Sequence, residues 1–405
     1  MSVTFDPATA VAAGQRIAVC ADAARRGPVQ RVEVTGFGEA WLVTGWAEVR
    51  QALADPRLHK APAAAGRLAR ELRPDLAPAV FRHMLSMDGE PHTRLRGLVA
   101  TAFTRQRVQD LQPRISALTD ALLDALAALG PDVTVDLMES FAYPLPLSVI
   151  FEMLGVPADW REDIHRCFTD VFAASFIPAE RFIAALAELA DLTRGLVALR
   201  RAEPGPDLLS ALISVRESGD QLSEDELTSM MVLLLAAGHE TTANLIGNGV
   251  RSLLAHPDQV ATLRAGSTAA IVAVEELLRF DPPVHMGFPL RAIDDLAIGT
   301  ARIARHDLVF VSLLAANRDD AHVTHADRLD LARTPNQHLT FGHGVHHCLG
   351  ATLARLEGQI ALVRLFGRFP HLHPTVPLDA LVLNPNLLFN GLTALPVRLG
   401  AQAQS

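Results

Sequence analysis

The feature that most constrains this chain is a helical pattern running with little interruption from "LSEDELTSMM" to "LLAHPDQ", residues 222–259. Ser223 and Glu226 fit a capping box, in which a hydroxyl and a carboxylate three residues later satisfy each other's backbone N–H groups. Pro257 forbids continuation, because it has no N–H to donate and its ring clashes with the preceding turn. About thirty residues at 1.5 Å rise each make a rod about 45–50 Å long. That is enough to cross the whole molecule, and it predicts a mainly α fold.

The other elements read as follows. "RISALTDALLDALAAL" (114–129) has apolar residues at steps of three and four, and "STAAIVAVEELLRF" (267–280) reads as a further helix ending before Pro282-Pro283. "RVEVTG" and "AWLVTG" flank Gly36-Phe37-Gly38-Glu39 and predict a short β-hairpin, and "DLVFVSLLAA" (307–316) is strand-like. "PAAAGRLARELRPDLAPAV" (62–80) reads as a mobile connection within a domain. The expectation is one domain over residues 1–405, helical except for β-rich portions at 28–60, 284–335 and 375–400.

Composition excludes several classes. The chain has 405 residues, 49% of them hydrophobic, so it can bury a large core. Net charge is -9 with no Lys/Arg block, which argues against nucleic acid as the main partner. Cys20, Cys167 and Cys348 are odd in number and far apart, which is no disulfide framework and points to a reducing compartment. The longest apolar run, "MMVLLLAAG" (230–238), falls far short of a bilayer span, and the first fifteen residues lack the basic flank of a signal peptide. These features predict a cytoplasmic protein with no membrane anchor.

The stretch "LTFGHGVHHCLGATLARLEG" (339–358) sets three histidines and a cysteine among glycines, ahead of a helix with apolar Leu349, Leu353, Leu356, Ile360 and Val363. This places Cys348 at the first turn of that helix, where unpaired N–H groups and the dipole favour a thiolate. Gly342, Gly344 and Gly350 remove side chains nearby and let a large flat object approach the backbone. Zinc is a rival, but adjacent His346, His347 and Cys348 diverge and no second ligand cluster has suitable spacing. A cysteine nucleophile would need a positioned base that the sequence does not signal. A buried thiol at a glycine turn is the remaining alternative. Elsewhere, "HETTA" (239–243) has Ala243 where a zinc-protease helix needs its second histidine, and "GNGVRS" and "GFGEAW" lack the third glycine of a dinucleotide fingerprint.

Taken together, the chain resembles the cytochrome P450 haem-thiolate monooxygenases, over nearly its whole length. "FGHGVHHCLG" fits the cysteine-loop pattern through Phe341, Gly344, Cys348 and Gly350; "EELLR" supplies an E-x-x-R pair, Glu276 and Arg279. "AGHETT" (237–242) fits the oxygen-activation motif of the long central helix, and "HTRLR" (92–96) fits the helix that reaches the haem propionates. The sequence is most similar to soluble bacterial members that tailor polyketides, macrolides and other lipophilic molecules.

The resemblance implies haem b ligated axially by Cys348, which directs electron density toward O–O cleavage. It implies insertion of one oxygen atom from O2, with Glu240 and Thr241 delivering protons. Thr241 is also placed to return its hydroxyl to the Ala237 carbonyl, opening the helix slightly, with Gly238 leaving room beside it. The propionates are expected to meet His92, Arg96, Arg291 and His346. Glu276 and Arg279 are expected to brace the fold. With no nucleotide-binding fingerprint in the chain, electrons are expected from NAD(P)H through a separate ferredoxin and its reductase, docking near Arg105, Arg107 and Arg355. The pocket segments implied are 62–87, 165–180, 233–241, 284–289 and 387–391. They offer Leu85, Met87, Phe172, Leu234, Ala237, Val284, Met286 and Leu388 to a large lipophilic substrate, with His285 for a polar group.

Two other readings stay open at this point: a peroxide-driven haem-thiolate enzyme, which would not need the Glu240–Thr241 relay, and a non-catalytic haem sensor or electron carrier. The chain also departs from the family pattern. Phe280 stands where relatives often have tyrosine, and "GTARIARHD" (299–307) has Ala304 and His306 in place of the Pro and Gly of a turn, which puts that turn in question.

Overall fold

The computed structural model describes residues 3–60, 76–172, 178–215 and 220–401. The chain sorts into two compact units: Met1–His59, Asp110–Pro146 and Glu240–Ser405 form the first, and Lys60–Gln109 and Leu147–His239 the second. The chain leaves the first unit just ahead of the Ala-rich stretch that reads as a connection within one domain. Residues 61–75 of that stretch lie outside the described residues, and Leu76–Phe81 is helical.

The first unit carries the β structure. Strands β1 (Val3–Phe5), β2 (Val29–Val34), β3 (Gly38–Val43), β4 (Leu58–Lys60), β5 (Thr134–Asp136), β6 (Leu290–Ala292), β7 (Leu296–Ile298), β8 (Ala301–Ile303), β9 (Leu308–Val311), β10 (His373–Pro374) and β11 (Pro396–Arg398) form three sheets. The largest has the order β1-β2-β3-β9-β6-β4. The expected hairpin is β2–β3, in register from Val29↔Val43 to Val34↔Gly38, and both Gly36 and Gly38 take a φ of +82°, which a side chain would oppose. β9 pairs parallel to β3 and antiparallel to β6, so the sheet is mixed. Phe5, Val32, Val34, Leu42, Met286 and Phe310 pack in one core against it.

Where "DLVFVSLLAA" reads as one strand, the structure divides it. The strand stops at Val311, and Ser312 caps a short helix, Leu313–Asn317, by accepting the Ala315 N–H at 3.2 Å. β1, β5 and β10 lie outside the β-rich portions expected from sequence. β5 joins β11 and β10 in a second small sheet.

The long helix is Glu224–Ala255, 32 residues. Its capping box is reciprocal: Glu226 N–H donates to Ser223 Oγ at 3.3 Å, and Ser223 N–H donates to Glu226 Oε2 at 2.9 Å. Glycines set its packing in each unit. In the second, a Cβ on Gly238 would meet Ile150 Cδ1 at 3.0 Å. In the first, Leu245 fits against Gly358 of helix Ala351–Arg368, where a Cβ would stand 2.8 Å from Leu245 Cδ2. The cysteine-bearing loop therefore leads into a helix seated directly on the long one.

That following helix does not bury the face the sequence implies. Leu353, Glu357, Ala361, Leu362, Leu365 and Phe366 are buried, whereas Leu356, Ile360 and Val363 are half-buried. The core thus takes in a carboxylic acid, Glu357, whose protonation burial pushes up to about 8.

In the second unit, helix Ala179–Ala202 buries Leu186, Leu189, Ala190, Leu196 and Val197 at helical spacing. Leu186 and Ala190 pack with Leu76, Ala79 and Val80. Arg94 bridges Asp220, at 2.9 Å, and Glu226, tying helix Gly89–Ala102 to the start of the long helix.

Candidate functional site

The segment leading to Cys348 is supported by helix Ser267–Phe280 and the irregular chain after Asn317. Glu276 and Arg279 are fully buried, and their ion pair is bidentate: Nε to Oε2 and Nη2 to Oε1, each 2.8 Å. Arg279 Nη1 also donates to the carbonyls of Asn317 and Ala326, and Nη2 to that of Arg328. Glu276 accepts from Arg333 Nε, the Asp330 N–H and Asn336 Nδ2. Such a pair survives in a dry interior only because every remaining donor and lone pair is used. Six separate points of the chain from Asn317 to Asn336 hang on it, so its work is architectural.

The chain then enters the loop. Cys348 N–H donates to Phe341 O at 2.9 Å, closing it, and Gly344–His346 form one 3-10 turn inside it. Gly342 and Gly344 take φ of +72° and +73°. Helix Ala351–Arg368 has Gly350 as its N-cap, so Cys348 lies two residues ahead of the cap and not in the first turn, a correction to the sequence reading. The sulfur is exposed, whereas Cys20 and Cys167 are buried. Gly350 leaves the sulfur open as well; a Cβ there would be in ordinary contact with it at 4.0 Å.

This donor set has a definite chemistry. Among the described residues no three His, Cys, Asp or Glu side chains come together as a metal-binding group, which does not suit a tetrahedral protein-only site. One exposed thiol, held by its own backbone at the mouth of a helix, does suit a cofactor that needs a single axial sulfur and brings its other ligands.

The second element of the site lies on the long helix. From Leu227 to Val250 this helix is buried at almost every position; Ala237 is exposed and Ala236, Gly238 and Thr241 are half-buried. Glu240, 8% exposed, accepts a hydrogen bond on Oε1 from Asn244 Nδ2 at 3.3 Å. Burial pushes its pKa up, to about 7, against the smaller pull of Asn244. A carboxyl poised there can both hold and release a proton near neutrality. Asn244 is fully buried and backs onto Gly391, where no side chain would fit.

The remaining sequence-derived candidates separate. His92, buried, and Arg96, half-buried, stand one turn apart on helix Gly89–Ala102 of the second unit. Arg291 lies on β6 in the first unit, half-buried, and its Nη1 donates to His306 O at 2.8 Å. His346 is half-buried in the cysteine loop. His306 holds a φ of +76° where glycine is expected, so the turn forms despite the departure in sequence. It is secured by Ala304 N–H on Asp307 Oδ2 and by His306 N–H on Ala292 O.

Among the pocket candidates, Leu85 and Met87 are half-buried and Leu234 is buried in the second unit, while Val284 and Leu388 are half-buried in the first. The side chain of Phe172 lies outside the described residues. Two more candidates lie in the interior of the first unit: Met286 is fully buried in the core with Phe5 and Phe310, and His285 is fully buried with Nε2 on Asn386 O at 3.1 Å. Arg105 is exposed and Arg107 reaches Asp207 O, both in the second unit. Arg355 is engaged with Glu275 in the first.

Sequence reasoning missed the residues that hold the paired segments 283–286 and 384–391. Arg16 is fully buried, 374 positions before Asn390, and donates to Pro7 O, Phe389 O, Asn384 O and Asn390 Oδ1. Asn390 Nδ2 in turn donates to Asp281 Oδ1 at 2.8 Å, and Asp281 pairs with Arg251 of the long helix. An arginine in an amphipathic N-terminal helix carries no signal of such a role.

A mainly helical fold in which a thiol-bearing loop leads into a helix seated on a long, acid-containing one is the arrangement of a haem-thiolate oxygenase. A sequence model described as "Cytochrome P450" matches residues 76–388. The chain is 46% identical to cytochrome P450 107B1 of Saccharopolyspora erythraea, covering 93% of each, and 40% identical to mycinamicin IV hydroxylase/epoxidase of Micromonospora griseorubida, covering 91% of this chain and 92% of that one. Its fold matches the solved structure of the bacillaene polyketide synthase cytochrome P450 PksS of Bacillus subtilis with a TM-score of 0.87 and 36% identity, covering 95% and 97% of the two chains. The chain belongs to the cytochrome P450 family. It is a monooxygenase with haem b as cofactor and O2 as co-substrate. No helix among the described residues is long and apolar enough to cross a membrane.

Proposed function

We propose that the Cys348 thiolate would hold the haem and that Glu240 and Thr241 would deliver protons, for oxidation of a large lipophilic polyketide or macrolide. The observation that carries this is the exposed Cys348 thiol, its N–H tied back to Phe341 O, at the start of a helix seated against the long one. When bound, haem supplies the oxidising chemistry at the thiolate-ligated iron.

The chain's own residues supply the rest. Glu240, with a pKa near 7, carries a proton into a buried helix, and Asn244 fixes one of its carboxylate oxygens so that the other is available to release it. Thr241, the next residue, is the acceptor and onward donor. His92, Arg96, Arg291 and His346 offer cationic and hydrogen-bonding partners to the two propionates. Ala237, Val284, Leu234, Leu85, Met87 and Leu388 present small or aliphatic surface suited to an apolar substrate. The reaction takes place in the cytoplasm.

Electrons come from NAD(P)H through a ferredoxin and its reductase. The docking face lies beside the cysteine loop, at a depression of about 560 Å³ lined by Arg50, His343, His347 and Arg355 among others. Glu275 lines it too and engages Arg355, which leaves Arg50 as the cation offered there to an acidic ferredoxin. The substrate class comes by analogy with the mycinamicin IV and bacillaene enzymes.

The experiment is aerobic turnover of a macrolactone panel with ferredoxin, its reductase, NAD(P)H and isotopically labelled O2. The expected product gains one labelled oxygen and requires the electron donors. Equal turnover with hydrogen peroxide alone would point to a peroxide-driven enzyme instead.

A further inference from the structure

The segment that delivers the chain to the cysteine loop is held by a carboxylate outside the E-x-x-R pair. Glu275, immediately before Glu276, accepts Arg355 Nε on Oε1 at 2.5 Å and Arg355 Nη2 on Oε2 at 2.8 Å. The same Oε2 faces His338 Nε2 at 3.1 Å. His338 Nδ1 accepts the Thr340 N–H at 3.3 Å, which assigns the ring proton to Nε2, the nitrogen that donates to Glu275. Burial pushes the Glu275 carboxyl up, but the bonds from His338 and Arg355 outweigh it and hold it down at about 2.

So fixed, the Arg355 guanidinium lies over the Phe341 ring, 4.4 Å from its centroid, and the His338 ring stands 6.0 Å from it. Phe341 O is the acceptor of the Cys348 N–H. The other side of the segment is pinned as well. Thr340 Oγ1 donates to Leu278 O at 2.7 Å and accepts from Asn317 Nδ2, while Asn317 Oδ1 accepts the Leu339 N–H at 2.7 Å. One helix, Ser267–Phe280, therefore holds the segment at Leu278 and, through Glu275, grips Arg355 above it.

We propose that Glu275 and Arg355 form a clamp on Phe341 that positions the Cys348 backbone and sets how firmly its sulfur stays on the iron. Glu275 is thus a positioning residue for the axial ligand, distinct from Glu276, which serves the chain after Asn317. A planar, bidentate guanidinium is required, because it must meet a carboxylate along its edge and an aromatic face at once. Arg355 is accordingly a part of the loop's support rather than a cation held ready for a partner. The inference rests on the reading of Cys348 as the iron's ligand.

The test uses the haem-loaded protein, reduced and carbon monoxide-bound, and follows the lifetime of the red-shifted Soret band of thiolate ligation in mild urea. Wild type, Glu275→Ala, Glu275→Gln, Arg355→Gln, the double variant Glu275→Gln/Arg355→Gln and, as a control, Asp120→Asn are compared. Asp120 pairs with Arg364 on the same helix as Arg355 but away from the loop. Glu275→Ala and Arg355→Gln are expected to lose the band roughly tenfold faster, the loss of one charge-assisted bond expressed as a rate. The double variant should decay no faster than the worse single, and Asp120→Asn as wild type. The ferric–ferrous midpoint potential should shift in Glu275→Ala and stay put in the control. Band lifetimes and potentials equal to wild type would overturn the inference, as would a lower global urea midpoint with an unchanged band lifetime. If Glu275→Ala does not fold, Arg355→Gln decides the matter, since Arg355 is 37% exposed and tolerates replacement. A wild type without the thiolate band would instead refute the Cys348 reading.

Discussion

Gly344 sits so close to the backbone of helix Trp46–Ala54 that a Cβ would stand 2.6 Å from Leu53 O and 3.1 Å from Ala54 Cα. Its φ is +73°, the left-handed region in which a side chain is opposed by its own backbone. Both obstacles are backbone, so neither can rotate away. Gly344→Ala is expected to lower stability by about 2–4 kcal/mol, combining the left-handed penalty with overpacking, and to release the cysteine loop. Chemical unfolding would give the first quantity, and the haem content of the purified variant the second. Gly350→Ala, whose Cβ meets only ordinary contact, should retain haem.

A second prediction concerns Asn390, the amide that stands between two buried charges. Its Oδ1 accepts from Arg16 at 3.2 Å and its Nδ2 donates to Asp281 at 2.8 Å. Asn390→Ala leaves both short of a partner in the interior, at a cost of about 2–4 kcal/mol. The double variant Arg16→Met/Asn390→Ala should lose less than the sum of the two single losses, which a double-mutant cycle measured by urea unfolding will reveal.

His306 is a non-glycine residue in the left-handed region, retained by the bonds of Ala304, Asp307 and Arg291 around it. His306→Gly should therefore stabilise the chain by about 1 kcal/mol, the relief of backbone strain less the entropy that glycine adds to the unfolded chain. A lower urea midpoint would show that the imidazole contributes a contact outweighing the strain.

The acid on the long helix gives a pH dependence with a definite sign. Burial raises the Glu240 pKa to about 7, so the folded state binds this proton more tightly than the unfolded one. Its contribution is fully present below the ordinary glutamate pKa and is lost as pH rises to about 7. The difference is on the order of 3 kcal/mol for a shift of this size. Glu240→Gln should remove that slope between pH 4.5 and 7 and be the more stable protein above it; the buried Glu357, raised to about 8, leaves its own slope in both proteins. The same variant should turn over about a hundredfold or more slowly, as expected on losing a positioned acid.

Much of this was written locally. The capping box at Ser223 and Glu226 and the stop at Pro257 bound the long helix to within a residue, because caps and prolines act through adjacent backbone groups. The glycines of the hairpin and of the cysteine loop were equally legible, since a positive φ is a property of one residue. What could not be read is what depends on distant partners. Glu275 differs from a surface carboxylate only through His338 and Arg355, 63 and 80 residues later. Arg16 is anonymous without Asn390. Nor does the segment 284–289 reveal that Met286 packs against Phe5 and Phe310, or that His285 meets Asn386 O, since those partners lie far away in the chain.

The most direct test of the account is the absorption spectrum of the purified, reduced protein with carbon monoxide, in wild type and Cys348→Ala. The account predicts a strongly red-shifted Soret band in the wild type that Cys348→Ala lacks. A wild-type spectrum typical of histidine ligation, or a thiolate band that persists without Cys348, would contradict it.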